Sequence, residues 1–381
     1  MNSIPILPLI ILYLPSLFIL SQPTDTLTLG ISLTDGNSLV SSSNIFELGF
    51  FSMNNSNNRY IGIWYHDFSP KTVIWVANRE TPLTDSSGSL KISPQRNLIL
   101  LNSTNSILWS SNTSSTSPNE TTLTLLDSGN LQLNDSRTYI WQSFDDPTDT
   151  YLPGMKIGLD LASNKNQLLT SWKNTEDPRA GNFSIGMDPD RSTQIFIWEG
   201  SKLRWRTGRW NGQVFIGIEY MVPFYIDGFQ VSNYEREGKM YFFYPPGHVY
   251  RRFVLTWDGI LEHRVWDNDT KAWSNIWAQP SKECEFYNKC GNGAICEDGN
   301  DPICTCLQGF VPKSMKEWSN GDWSNGCFKR TPLKCERSNS NNESLEEEDG
   351  FLKLESLKVP DSSDLYQDAN GISGCRKDVG K

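Results

Sequence analysis

Three tryptophans, Trp75, Trp109 and Trp141, recur at intervals of 34 and 32 residues, each closing a strand-turn-strand unit. Asn97-Leu-Ile-Leu-Leu-Asn-Ser-Thr-Asn-Ser-Ile-Leu-Trp109 aligns with Asn130-Leu-Gln-Leu-Asn-Asp-Ser-Arg-Thr-Tyr-Ile-Trp141. A looser copy runs from Tyr60-Ile-Gly-Ile-Trp64 to Val73-Ile-Trp75. A fixed period in this range marks units that must bury their apolar faces together. Three copies predict a closed prism of three sheets with the tryptophans meeting near a common axis. A β-sandwich with the tryptophans as ordinary core is the competing arrangement. Short alternating stretches rich in β-branched and aromatic residues, broken by Asn, Ser, Gly and Pro, read as strands, and no helical period intervenes. The expected class is all-β.

Residues 151–280 continue in the same style with less regularity. Phe183-Ser-Ile185, Gln194-Ile-Phe-Ile-Trp198, Leu203-Arg-Trp205 and Val254-Leu-Thr-Trp257 read as strands of a second β module. Asp258-Gly259 reads as a hairpin turn, since glycine tolerates positive φ. Trp198, Trp205 and Trp210 are open to two readings, core or exposed binding surface, with core as the default.

All eight cysteines (Cys284, Cys290, Cys296, Cys304, Cys306, Cys327, Cys335 and Cys375) lie in the last hundred residues. The cysteine-free part must be held by an ordinary core. The small polar tail relies on disulfides, which implies an oxidising compartment. The spacing C-x5-C-x5-C-x7-C-x-C-x20-C ends at Cys327. It lacks the C-x2-C pairs that bring four thiolates onto zinc. Six cysteines allow fifteen pairings, so spacing alone assigns none.

Residues 1–21 read as a signal peptide. Ile4 to Leu20 is almost wholly apolar, although no basic residue precedes Arg59. Pro5, Pro8 and Pro15, in a span below the ~20 residues a bilayer requires, argue against a membrane anchor. No later apolar run is long enough to span a membrane, so the processed chain is expected to be soluble. Asn-x-Ser/Thr acceptors occur at Asn54, Asn102, Asn112, Asn119, Asn134, Asn182, Asn268 and Asn342. Together with the leader and the cysteine-rich tail they point to secretion. A net charge of −10 with no basic stripe argues against a nucleic-acid partner. The acidic run Glu343 to Asp349 reads as a solvated linker.

The order of modules resembles the S-domain of plant receptor-like kinases and S-locus glycoproteins. The resemblance rests on Phe46-Glu-Leu-Gly-Phe-Phe51, Trp75-Val-Ala-Asn-Arg79, Leu125-Leu-Asp-Ser-Gly-Asn-Leu131, Trp141-Gln-Ser-Phe-Asp-Asp-Pro-Thr-Asp-Thr150, Trp210-Asn-Gly212, Cys290-Gly-Asn-Gly293 and Gly326-Cys-Phe-Lys-Arg330. It implies a bulb-type lectin domain at 22–150, an S-locus glycoprotein domain at 151–280, an EGF-like module at 281–327 and an incomplete PAN/apple domain at 335–381. Cys304-x-Cys306 followed by Gly309-Phe310 carries the EGF-like likeness, which implies the pairs Cys284–Cys296, Cys290–Cys304 and Cys306–Cys327. Gln279-Pro-Ser-Lys-Glu283 lacks the oxygen ligands of a calcium-binding EGF module, so neither calcium nor any other cofactor is expected.

In full-length relatives a membrane helix and a cytoplasmic serine/threonine kinase follow. The family role is recognition of pollen in self-incompatibility, with a small cysteine-rich protein as ligand, or sensing of other cues. The implied partner is therefore an extracellular peptide or small cysteine-rich protein, with receptor dimerisation a further option.

Two departures from the family stand out. Mannose-binding bulb lectins carry Gln-x-Asp-x-Asn-x-Val-x-Tyr on each sheet. The matching positions here read Ser93, Gln95, Asn97, Ile99, Leu101 and Leu126, Ser128, Asn130, Gln132, Asn134. Only Asn97 and Asn130 survive. The lost carboxylate and phenol hydrogen bonds are worth roughly 0.5–3 kcal/mol each, so the fold is expected to persist without firm mannose binding. A soluble mannose-type lectin is the alternative function. The second departure is at Cys335 and Cys375, which lack the apple domain's further cysteines. Pairing with each other, linking two chains or staying reduced are all open to them, and 335–381 is expected to be poorly ordered.

Catalysis is not expected of this chain. Kinase chemistry needs a Gly-rich loop, a strand lysine, a catalytic Asp and a metal-binding Asp as a set. Gly291-Asn-Gly293, His263-Arg264-Val265 and Asp227-Gly228-Phe229 do not supply it. His66, His248 and His263 have no Gly-x-Ser-x-Gly elbow beside them, and Asp145/Asp146 match a structural turn of the family.

Overall fold

The computed structural model describes residues 24–332 apart from short gaps at 54–55, 114–119, 136–137, 164, 191, 220, 222–229, 235–237 and 248–249, together with 352–358. The expected signal peptide, Asn54, Asn119, Asn342, Asp227-Gly228-Phe229, His248, Cys335, Cys375 and most of the expected apple segment lie outside the described residues.

Twelve strands build the first module. They are β1 (Thr26–Thr28), β2 (Ser32–Thr34), β3 (Ser38–Val40), β4 (Phe46–Phe51), β5 (Tyr60–Tyr65), β6 (Val73–Val76), β7 (Ser89–Ile92), β8 (Leu98–Leu101), β9 (Ile107–Ser110), β10 (Thr122–Leu125), β11 (Leu131–Asn134) and β12 (Tyr139–Gln142). They form three four-stranded antiparallel sheets, β1-β10-β11-β12, β2-β7-β8-β9 and β3-β4-β5-β6. Each sheet is one repeat unit closed by a short strand from residues 26–40. Leu27, Leu33 and Leu39, six residues apart, each place one buried leucine in a different sheet. Around them Leu48, Ile61, Ile63, Leu98, Leu100, Leu123, Leu131 and Leu133 are fully buried, at about 1.5–3 kcal/mol of transfer free energy each.

The prism expected from the repeat is present, with its tryptophans at the axis. The rings of Trp75, Trp109 and Trp141 lie 5.8–5.9 Å apart, centroid to centroid, at steep interplanar angles. Edge-to-face packing of this kind satisfies the ring quadrupoles. The tryptophans face Ile63, Leu100 and Leu133 on the central strands, and a β-bulge follows that residue in all three sheets. A bulge at the same step increases the local twist, which helps the sheets close around an axis.

The second module repeats the plan. Its strands are β13 (Thr150–Tyr151), β14 (Ile157–Asp160), β15 (Lys165–Asn166), β16 (Leu169–Asn174), β17 (Asp177–Met187), β18 (Ile195–Glu199), β19 (Lys202–Arg206), β20 (Gln230–Tyr234), β21 (Lys239–Phe243), β22 (Arg251–Leu255), β23 (Leu261–Asp267) and β24 (Ala272–Gln279). Three four-stranded sheets again result, β13-β22-β23-β24, β15-β14-β21-β20 and β16-β17-β18-β19. Trp205 is fully buried, whereas Trp198 and Trp210 are only half-buried. The strand expected at 254–257 ends at Leu255. Trp257 instead sits in the turn, 49% exposed, with Gly259 at φ +81°.

The disulfide-rich part contains the hairpin β25 (Ala294–Cys296) with β26 (Cys304–Cys306), and β27 (Phe310–Pro312) paired with β28 (Cys327–Lys329). Between the last two lies α1 (Met315–Ser319), the one α-helix among the described residues. No helix there is long and apolar enough to cross a membrane. Disulfides join Cys284 to Cys296, Cys290 to Cys304 and Cys306 to Cys327, the pairs implied by the EGF-like resemblance.

Candidate ligand sites

The two surviving amides of the mannose pattern are engaged inside the protein. Asn97 Nδ2 donates to Ser110 Oγ at 2.7 Å, and its Oδ1 accepts the Ser111 hydroxyl at 2.7 Å. Asn130 Nδ2 donates to Gln142 Oε1 at 2.8 Å, while its Oδ1 accepts from Ser143 Oγ and the Phe144 N–H at 3.3 and 3.2 Å. Each amide thus clamps the chain just beyond a triad tryptophan. The neighbouring hydroxyls finish the job, since Ser111 and Ser143 Oγ accept the N–H groups of Leu98 and Leu131. Asn78 Oδ1 does the same for Ile61 in the third sheet. Of the other matched positions, Ile99 and Leu101 are buried, Ser93 Oγ accepts the Asn97 N–H, Gln132 reaches Gln142 and Asn134 turns back to the Gln132 carbonyl. Gln95 is exposed.

A different concavity opens where the tryptophan axis meets the second module. An open cleft of about 550 Å³ is lined by Trp75, Trp109, Trp141, Asn112, Asp145, Asp146 and Lys165, among others. Asp146 braces two of the indoles, accepting Trp75 Nε1 on its carbonyl and Trp141 Nε1 on its carboxylate, both at 2.9 Å. Trp109 breaks the symmetry, for its N–H has no acceptor among the described residues. Trp75 and Trp141 are buried, and Trp109 is half-buried. Burial pushes the Asp145 carboxyl up, against the hydrogen bond from Gln142. The repeat located the triad but gave no hint of the open end. Asn112 was visible only as a glycosylation acceptor, and Lys165 carries no sequence signal.

The family-like stretches mostly build joints. Arg79 donates from Nε and Nη2 to the carbonyls of Pro178 and Ser171 at 2.8 and 2.7 Å, and from Nη1 to Thr170 at 3.3 Å. Phe68 stacks on Trp266 at 4.0 Å, and Trp273 Nε1 donates to Thr72 Oγ1 at 3.0 Å. Asp149 is buried at this joint, where burial raises its carboxyl against the pull of Arg252 and Arg79. Burial also pushes Arg252 down to about 10. The disulfide-rich module docks on β19. Arg204 lies between the rings of Phe183 and Phe286, its carbonyl accepts the Tyr287 N–H, and Trp205 Nε1 donates to Gln279 Oε1 at 3.1 Å. His66 contacts Glu47, and His263 is buried against Phe253, so these two histidines are not gathered into one site.

A family model described as D-mannose binding lectin matches residues 72–173, and one described as S-locus glycoprotein domain matches residues 205–314. A putative G-type lectin S-receptor-like serine/threonine-protein kinase of Arabidopsis thaliana is 41% identical over 351 residues, covering 89% of this chain and 41% of that protein. An S-locus-specific glycoprotein of Brassica oleracea is 34% identical, covering 99% of this chain and 86% of that one. The chain spans about 41% of the length of the receptor kinases it matches. Among solved structures, a monomeric mannose-binding lectin from Gastrodia elata aligns over 32% of this chain and 96% of its own at 23% identity and a TM-score of 0.25. The two-domain fetuin-binding agglutinin of Scilla campanulata aligns over 65% and 80% at 14% identity and a TM-score of 0.22.

Proposed function

Because the chain belongs to the family that unites G-type lectin S-receptor-like serine/threonine-protein kinases with S-locus glycoproteins, we propose that it is the extracellular ligand-recognition region of such a receptor and is itself non-catalytic. In this reading residues 22–150, 151–280 and 281–327 are its lectin, S-locus glycoprotein and EGF-like domains, and 335–381 opens an apple domain. The ligand is an extracellular peptide or small cysteine-rich protein, as in the family's pollen-recognition role. The observation that carries the reading is the fate of Asn97 and Asn130. Both amides are held by internal partners, which supports a lectin fold kept as a scaffold rather than as a mannose trap.

The lectin-family match over 72–173 favours the second reading, a soluble mannose-binding lectin. The two separate by titrating the secreted, glycosylated chain with methyl α-mannoside and, in parallel, with a display library of disulfide-bonded peptides. The expected result is no mannoside heat and a set of peptides displaced by the soluble chain. Saturable mannoside binding that Asn130→Ala abolishes would overturn the receptor reading in favour of the lectin.

A further inference from the structure

We propose that the cleft at the tryptophan axis is a saccharide site, and that its occupant is the inner part of the glycan carried by Asn112 of the same chain. The inference rests on the reading of this chain as a secreted glycoprotein.

Asn112 heads the acceptor Asn112-Thr113-Ser114 and lines the cleft, with an exposed side chain and a φ of +54°. A sugar attached there begins at the cleft wall. What it meets suits a sugar ring, which has an apolar C–H face and a polar hydroxyl edge. The half-buried Trp109 offers aromatic surface and an indole N–H that no described residue accepts. The Asp145 and Asp146 carboxylates and the Lys165 ammonium offer hydrogen-bond partners for hydroxyl and acetamido groups. At about 550 Å³ the cleft falls within the usual range for small-ligand sites. Single sugar rings bind proteins weakly, but tethering converts the encounter into an intramolecular one at an effective concentration in the millimolar range. A glycan anchored at the wall therefore needs little intrinsic affinity to fill the space. Lys165 belongs to the second module, so the same glycan would bridge the two prisms.

The chemistry admits a second source, a free oligosaccharide, and the test separates the two. The secreted chain is compared with Ser114→Ala, which removes the hydroxyl the acceptor needs and leaves Asn112 in place, and with Asn112→Asp, which suits the positive φ. Glycopeptide mass spectrometry reads occupancy at Asn112 and at Asn268, an exposed acceptor in a turn. Native digestion with peptide-N-glycosidase reads accessibility, and tryptophan emission reads the triad.

We expect Asn112 to be occupied and released more slowly than Asn268. Emission should shift to longer wavelength in both variants, and that shift should vanish when Trp109→Phe is added. N,N′-diacetylchitobiose should reverse the shift in the variants and leave the glycosylated chain unchanged. If the disaccharide moves the emission of the fully glycosylated chain, the cleft serves free sugars and the tethered occupant is wrong. Equal release at both sites with unchanged emission, or an unmodified Asn112 beside a modified Asn268, overturns the proposal alone. A secreted chain with no glycan at any acceptor overturns the secretion reading with it.

Discussion

His263 occupies a position that its counterparts reserve for aliphatic side chains. On β23 it faces Trp277 just before a bulge, as Ile63, Leu100 and Leu133 face the triad tryptophans and Ile197 faces Trp205. It is 4% exposed, stacks on Phe253 at 4.3 Å, and neither ring nitrogen has a hydrogen-bond partner among the described residues. Burial, with Arg251 nearby, pushes its pKa down to about 4. The unfolded chain, with an ordinary value of about 6.5, then takes up a proton first as pH falls. The stability held above pH 6.5 is lost progressively down to pH 4, by up to about 3 kcal/mol. His263→Leu should remove that slope. Urea unfolding at pH 7 and pH 4.5 checks this, and an unchanged difference between the two pH values in the variant would refute it. Nothing in the sequence marked His263 as structural, because one histidine in an irregular repeat looks the same buried or exposed. Asn97 and Asn130 were legible as survivors of a pattern. Their role as clamps was not, since it depends on Ser110, Gln142 and Ser143, which only folding brings near.

At the scale of elements, the strands of the first prism were readable because two copies align almost residue for residue up to Trp109 and Trp141. β1, β2 and β3 were not, for three residues are too few to show a period. Only the six-residue spacing of Leu27, Leu33 and Leu39 betrays them. Leu33→Ala empties a buried site in one sheet and should cost about 2–5 kcal/mol. The same change at the exposed Leu29 should cost little. Denaturant melts of the two variants make the comparison, and equal losses would show that these short strands do not close the sheets. The second prism was legible only as a β module because its strands range from the two residues of β13 to the eleven of β17. Its tryptophans therefore mark no fixed interval.

Taken whole, the two prisms share a continuous apolar core and are locked by one guanidinium. Arg79 is buried enough to depend on three carbonyl acceptors in the other module. Hydrogen bonds to charged groups contribute about 1.5–3 kcal/mol each, and a lysine cannot reproduce the planar fork. Both Arg79→Ala and Arg79→Lys should resolve a single calorimetric unfolding transition into two. A single transition in both variants would show that the aromatic contacts of Phe68, Trp266 and Trp273 suffice. None of this joint was readable beforehand, since its partners lie about a hundred or more residues apart.

The strand β19 has a consequence for how such a chain can vary. Arg204, Trp205 and Arg206 are consecutive, yet the first lies between Phe183 and Phe286, the second fills the prism interior, and the third lends its carbonyl to Lys358. Successive side chains on a strand point to opposite faces, so a one-residue insertion would hand each neighbour the wrong partner. Change along this stretch must therefore come by replacement of side chains and not by gain or loss of length, which makes it the gauge by which the flanking modules keep their spacing.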